Sequence, residues 1–295
     1  MRRKSVARKL ATIAAVVLLG ASATAWAQDP PGPNTGRLSL NAGVDFPTRY
    51  YFRGILQERD DYIIQPFADL TFKLIQSEGA FSALNLTVGT WNSLHGGPTG
   101  SEGRNTVDPK VWYEADFFAT LAATFFEDLT AAVTYTAYMS PNDSFPTVQE
   151  VALSFSYNDA KLLGPFALNP TVLLAFETEG QADIGAHKGA LIQLGIAPGL
   201  TLFEKMEYPV TLSFPIAVSL SLYDYYEFGT GDDDTFGAFS AGVKASVPLK
   251  FIPAAFGSWQ ARASVLWYHF GDNLTTVNRG DRDAVVGLLG ISLSY

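Results

Sequence analysis

Tyr208-Pro209-Val210-Thr211-Leu212-Ser213-Phe214-Pro215-Ile216-Ala217-Val218-Ser219-Leu220-Ser221-Leu222 sets a large apolar side chain at every even position. Thr211, Ser213, Ala217, Ser219 and Ser221 fall between them with two prolines, so the segment has period two, the signature of a strand with one greasy face. Strands in soluble domains average about 5 to 6 residues, whereas a tilted strand crossing a bilayer takes about 9 to 11. This segment is long enough to cross.

The same alternation recurs eleven times, at 37–55, 63–74, 81–92, 110–122, 129–138, 148–158, 167–177, 190–200, 236–247, 259–270 and 283–295. With 208–222 these make twelve strands, an even number as expected of a single-chain bacterial barrel. The predicted fold is all-β, a transmembrane antiparallel up-and-down β-barrel over residues 37–295. Charge tests this, because Arg or Lys on the lipid face costs about 2 to 4 kcal/mol at mid-depth. Once each strand's apolar parity is fixed, Arg37, Asp45, Arg49, Arg53, Asp69, Lys73, Lys110, Glu114, Asp116, Glu150, Lys244 and Arg262 all take the opposite parity, toward the lumen. A soluble β-sandwich would sort its faces too, but with shorter strands.

The start of the chain reads as a secretory signal peptide over residues 1–27. Arg2, Arg3, Lys4, Arg8 and Lys9 precede the apolar run Leu10 to Leu19, and Ala25-Trp26-Ala27 offers a small-x-small cleavage site. Residues 28–36 are expected to be a short periplasmic segment. The mature chain carries 15 basic and 29 acidic residues, a net −14, which disfavours nucleic acid as a partner. No Cys is present, so neither a disulfide scaffold nor an iron–sulfur site is possible.

Short connections near Ser77, Glu127, Asp159, Lys205 and Pro253 alternate with long polar ones, as periplasmic turns and extracellular loops do. Both termini then lie on the periplasmic side. Tyr50, Phe52, Tyr113, Phe176 and Trp267 near one rim, with Tyr157, Tyr208, Trp259 and Tyr295 near the other, suggest two interfacial aromatic girdles. Seventeen of the 29 acids fall in the six long connections against five basic residues, giving an acidic outer mouth.

The chain closes on Gly290-Ile291-Ser292-Leu293-Ser294-Tyr295, which resembles the C-terminal signal read by the outer-membrane barrel assembly machinery, although Leu288 stands where a polar residue is common. Near the other end, Tyr50-Tyr51-Phe52-Arg53-Gly54-Ile55-Leu56-Gln57, followed by Gln65-Pro66, resembles the opening of the TorF-type porins, with Leu56 where that family usually has Ser. The resemblance spans about thirty-five residues and implies an outer-membrane barrel acting as a pore, with no substrate attached.

Catalysis has little to work with. His95 and His187 fall in expected loops and His269 at a strand end, and the His-x-Ser pattern of barrel phospholipases is missing. Asp232-Asp233-Asp234 supplies hard oxygen ligands for a divalent cation without the spacing of a known calcium loop, so a solvated loop tip is the plainer reading. No catalytic, cofactor or metal residue is assigned. The expected function is a porin-like outer-membrane channel passing small hydrophilic solutes or ions, with a weak cation preference set by the acidic mouth. Arg49, Arg53, Asp69, Lys73, Glu114, Asp116, Glu150, Lys244 and Arg262 are expected to line it. The alternative is a closed structural or adhesive barrel whose acidic loops bind partners or divalent cations; a lipid-active enzyme ranks third.

Overall fold

A computed structural model describes residues 34, 36–96, 111–228 and 231–295. The expected signal peptide, nearly all of segment 28–36 and Lys110 lie outside the described residues. Among the described residues sixteen strands occur in chain order: β1 (Leu38–Pro47), β2 (Tyr50–Phe52), β3 (Ile55–Glu58), β4 (Ile63–Gln76), β5 (Phe81–His95), β6 (Trp112–Phe125), β7 (Leu129–Met139) and β8 (Val148–Tyr157) in the first half. β9 (Thr171–Glu179), β10 (Ala190–Ile196), β11 (Gly199–Leu202), β12 (Val210–Ser213), β13 (Ile216–Tyr223), β14 (Phe236–Pro248), β15 (Ser258–Phe270) and β16 (Asp283–Ser294) follow.

All but β2 and β3 join one antiparallel ring. β1 pairs with β4, the ladder runs in chain order from β4 to β10, β10 pairs with β13, β14 takes both β12 and β13, and β1 closes the ring on β16, with Val44 opposite Ile291. β10 and β11 act as one wall strand interrupted at Ala197-Pro198, and β12 and β13 as another interrupted at Phe214-Pro215. Proline has no N–H to give a ladder, so the breaks fall where the sequence places it. The wall therefore has twelve strands. A closed wall leaves no unpaired strand edge, which a hydrocarbon surround requires.

The faces follow the parity read from the sequence. Phe214, Ile216 and Leu222 are exposed on the outside while Ser213, Ala217, Ser219 and Ser221 are buried inside. Leu70, Phe72, Phe117, Leu121, Val133, Phe155, Val265, Trp267 and Leu289 extend the exposed apolar belt around the ring. One end carries the two terminal strand ends and the tighter turns. The other carries the connections 140–147, 180–189 and 224–235, and the segment 271–282 with its helix α2, the second in the chain, at Asp272–Val277.

The main departure from expectation is the first strand. β1 stops at Pro47, and the predicted continuation to residue 55 leaves the wall, turns at Arg53-Gly54 and returns as the β2–β3 hairpin, paired only with itself. Arg53 (φ 48) and Gly54 (φ 92) make the tight reversal with positive φ. The hairpin lies inside the barrel: Tyr50, Tyr51, Phe52 and Ile55 belong to its buried apolar core.

Candidate functional site

The hairpin fills the loop-end half of the lumen by touching walls on several sides. Tyr50 donates to Glu114 on β6 at 2.8 Å and packs its ring 5.3 Å from Trp91 on β5. Tyr51 lies 5.1 Å from Phe270 and 5.8 Å from Tyr268, both on β15, while Phe52 meets Tyr138 on β7 edge-on at 5.1 Å. Gln57 accepts a hydrogen bond from Tyr113 on β6. From above, Tyr226 donates to the Arg53 carbonyl at 3.1 Å, and Asn278 bridges Gly54 O (2.8 Å) and Leu56 N (2.9 Å). β5, β6, β7 and β15 are all engaged at once.

Charge fixes the tip of this plug. Arg53 pairs with Glu150 on β8 at 2.5 Å, both side chains at least 94% buried, and its guanidinium stands 5.5 Å from the rings of Phe52 and Tyr225. Beneath the hairpin, Glu114 and Asp116 project from alternate positions of β6, both buried. Hence Glu114, Asp116 and Glu150 form one buried acidic wall, facing one guanidinium.

The turn-end half is different. Its lining is hydroxyl and amide: Thr71 with Thr87 (2.8 Å), Thr120 with Thr134 (2.8 Å), Thr124 with Thr130 (3.1 Å), and Gln76 with Asn85 (3.2 Å). Arg262 pairs with Asp45 across the β15–β16–β1 seam at 2.7 Å and lies 5.0 Å from the Phe67 ring. Buried Lys244 is on the adjacent strand, near both. Asn41 donates to Asp69 at 2.8 Å. A cavity of about 40 Å³, enough for a few waters, opens between Thr120, Thr134, Thr136, Glu150 and Ser154 on its polar side and Ala132, Ala152 and Leu173 on its apolar side.

Among the expected lining residues, Glu114, Asp116, Glu150, Lys244 and Arg262 are buried wall residues, and Asp69 is partly buried in the same surface. Two leave the expected wall strand, and Lys73 stays on β4. Arg49 sits between β1 and the hairpin, half-buried, and Arg53 is on the hairpin tip, so neither is a wall residue. Lys73 lies at the rim, where its Nζ donates to the Gly36 carbonyl at 3.1 Å. The girdle assignment is also corrected: Tyr50, Phe52 and Tyr113 point inward to the plug, whereas Trp267, Tyr208 and Tyr295 are exposed.

His95 is not a loop residue. It ends β5 fully buried, stacked 4.4 Å from Tyr113, with Ser93 Oγ 2.7 Å from its Nε2. A Ser does therefore lie within reach of an imidazole, contrary to expectation. Both side chains have no exposed surface, so the pair gives no approach to a substrate and serves to pack the plug.

The acidic loops are built into the structure. Glu58 accepts the backbone N–H groups of Arg59, Asp60 and Asp61, and Asp60 and Asp281 pair with Arg279 and Arg59. Asp183 accepts from Glu227 N, Phe228 N and Gly185 N, clamping connection 180–189 to 224–235; burial pushes its carboxyl above the usual value against those hydrogen bonds. Asp233 holds Ser221 Oγ and Tyr226 N, and Asp234 receives Asn273 N. Asp233 and Asp234 thus tie their loop through their carboxylates, while the carbonyl of exposed Asp232 accepts from Asn273 Nδ2. His187, Asp224 and Glu227 bring ligand atoms within 4.8 Å of one another and are the residues that could hold a cation. Glu227 there already receives Ala186 N, His187 N and His187 Nδ1.

No protein family matches the sequence, and no curated protein does. Solved structures do match across nearly the whole barrel. An outer membrane channel from Pseudomonas putida F1 is 12% identical over 91% of this chain and 100% of its own, with a TM-score of 0.45. The translocator domain of autotransporter NalP from Neisseria meningitidis is 13% identical over 88% of this chain and 89% of its own, with a TM-score of 0.43. The NanC porin is 8% identical over 87% and 98%, with a TM-score of 0.38. Likeness this distant carries no argument about activity, and the TorF-type likeness remains one of a short N-terminal stretch; what the chain is rests on its own closed, apolar-belted, twelve-stranded wall.

Proposed function

We propose that this chain is an outer-membrane channel for small hydrophilic solutes or ions, held closed in the present conformation by the β2–β3 hairpin. An N-terminal stretch with the pattern of an export signal and a C-terminal strand resembling the barrel assembly signal support outer-membrane residence on this reading. The observation that carries the reading is the division of the lumen. A hydroxyl-lined, cavity-containing half lies under a plug that is continuous with the wall at one end and held at its tip by the Arg53–Glu150 pair and the hydrogen bonds from Tyr226 and Asn278. Passage requires the hairpin to shift.

The cation preference is weak on this reading, because much of the acidic mouth is committed. Glu58, Asp183 and Glu227 are buried and occupied by backbone N–H groups. The buried acids Glu114, Asp116 and Glu150 are the stronger source of a cation bias once the hairpin moves.

A second reading, a closed structural or adhesive barrel, is favoured by the number of walls the hairpin engages. Single-channel recording under a salt gradient separates the two. The comparison is between the mature chain and a variant in which residues 50–58 are replaced by a Gly-Ser linker. Steps from the variant, larger or more frequent than from wild type and with a cation-side reversal potential, support the gated channel. A folded variant that never conducts supports the closed barrel.

A further inference from the structure

The turns at the terminal end carry a second apolar surface that the channel reading does not use. Phe126, Leu162, Phe166, Phe203, Phe251 and Phe256 are 56–78% exposed, more than most of the wall's own apolar belt. They sit in four successive turns, residues 126–128, 158–170, 203–209 and 249–257, with helix α1 (Ala160–Leu163) in the second. Phe126 (φ 53) and Phe203 (φ 56) adopt left-handed backbone, where glycine is the easy choice and a bulky side chain is costly. A phenylalanine kept at such a position is there for its ring.

Each of the three longer turns also sets one exposed lysine beside the apolar groups, Lys161, Lys205 and Lys250, and exposed Glu127, Glu204 and Glu207 lie in the same set of four turns. Lys161 is paired with Asp128 at 2.6 Å, so the charge stays at the level of the turn. An apolar body with a lysine whose stem can reach up to water is the composition that settles at the boundary between headgroups and acyl chains. The turn Ser77–Ala80 has the opposite character: Ser, Glu, Gly and Ala, all exposed.

We propose that these four turns are seated in the phospholipid leaflet on the terminal side of the barrel, as an apolar skirt continuous with the lipid-facing belt. Phe155 and Tyr157 run down β8 into the second turn; Leu200 and Leu202 on β11 lead to Phe203. Exposed Leu200, Leu202 and Phe155 make that continuity one of surface as well as of sequence. The occupant is therefore lipid, the same solvent the wall already faces. Since the skirt is missing at Ser77–Ala80, the barrel sits deeper on the side of β8 to β15 than on the side of β4 and β5.

The absence of Cys makes the test clean. Phe166→Cys, Phe203→Cys, Phe251→Cys and, as reference, Ser77→Cys are each labelled with bimane in the mature chain. They are refolded into phosphatidylcholine vesicles containing shallow nitroxide lipids, with folding checked by heat-modifiable mobility. Quenching at the three Phe positions at least twofold above Ser77→Cys is expected. Equal quenching at all four overturns the proposal. So does efficient disulfide formation between copies of Phe166→Cys, which would make the face an interface between barrels. At any position where the label prevents folding, Phe→Trp with brominated lipid reads the same depth, and no excess quenching there overturns the proposal equally.

Discussion

The two halves of the barrel interior solve the same problem by different means. At the loop end, β2–β3 brings aromatic side chains from residues 50–52 against walls distant in sequence, such as Tyr138 and Phe270. At the turn end, small hydroxyl side chains satisfy their neighbours on the next strand, as Thr120 does Thr134. The first half is a core in the ordinary sense, with long-range packing and one deeply buried charge pair. The second is a lined space, apart from the buried Arg262–Asp45 pair and Lys244 beside the seam. Substitutions should therefore be severe and cooperative above, mild and local below.

The most severe test of that contrast is Arg53→Ala. Removing one partner of a buried pair leaves Glu150 uncompensated and typically costs about 3–5 kcal/mol. Urea unfolding in detergent should show this loss, and Arg53→Met with Glu150→Leu should recover part of it. A loss of under about 1 kcal/mol would mean that water already reaches Glu150 and the plug is loose. Gly54→Val comes next: at φ 92, with Leu274 Cδ1 2.8 Å from where a Cβ would sit, the side chain strains the turn. Roughly 1–3 kcal/mol is expected, together with more frequent channel openings; unchanged stability and gating would place the tip of the hairpin elsewhere.

The turn end supplies milder cases. Asp159 is buried beside the second turn and accepts Leu168 N and Asn169 N at 2.9 Å. Burial pulls its pKa up, but those backbone donors outweigh it and hold the carboxyl below the usual 3.8. The stability it gives is complete above that unfolded value and fades as pH falls through the lower folded one. Asp159→Ala should cost about 1 kcal/mol near neutral pH and flatten the acid limb of the stability profile; an unaltered acid limb would remove Asp159 from the account. The smallest effect is expected at Thr120 and Thr134. Either single change to Val should cost about 0.5–1 kcal/mol, and both together close to nothing, because no polar partner is then stranded. A large double-mutant loss would show that the lower half is as tightly packed as the upper.

The wall was legible because period-two alternation and charge parity are properties of each strand by itself. Ser213, Ala217, Ser219 and Ser221 turn inward as their odd positions require, and the breaks at 197–198 and 214–215 shift no face. The plug was not legible for the same reason. Tyr50 to Gln57 is apolar enough to continue the wall, and nothing in its local pattern says whether a greasy side chain meets lipid or another ring. Two signals were present: residues 37–55 made the longest of the twelve expected strands, and Arg53-Gly54 is a turn dipeptide. The Ser93–His95 contact and the carboxylate clamps at Asp183 and Glu227 depend on where strand ends and loops meet, which strand periodicity does not encode.

Because the hairpin follows directly on β1, and β1 is the strand that closes the ring on β16, plug and seam share one piece of chain. The seam joins residues nearly 250 positions apart, such as Val44 and Ile291, so its closure is the contact of greatest loop-closing cost. Once that seam has zipped, residues 50–58 can reach the lumen only from the loop end, since a sealed wall offers them no side entrance. The strand that completes the ring thus also carries the stopper on a two-residue leash, Thr48-Arg49, so a barrel that has closed has its own seal poised at the mouth.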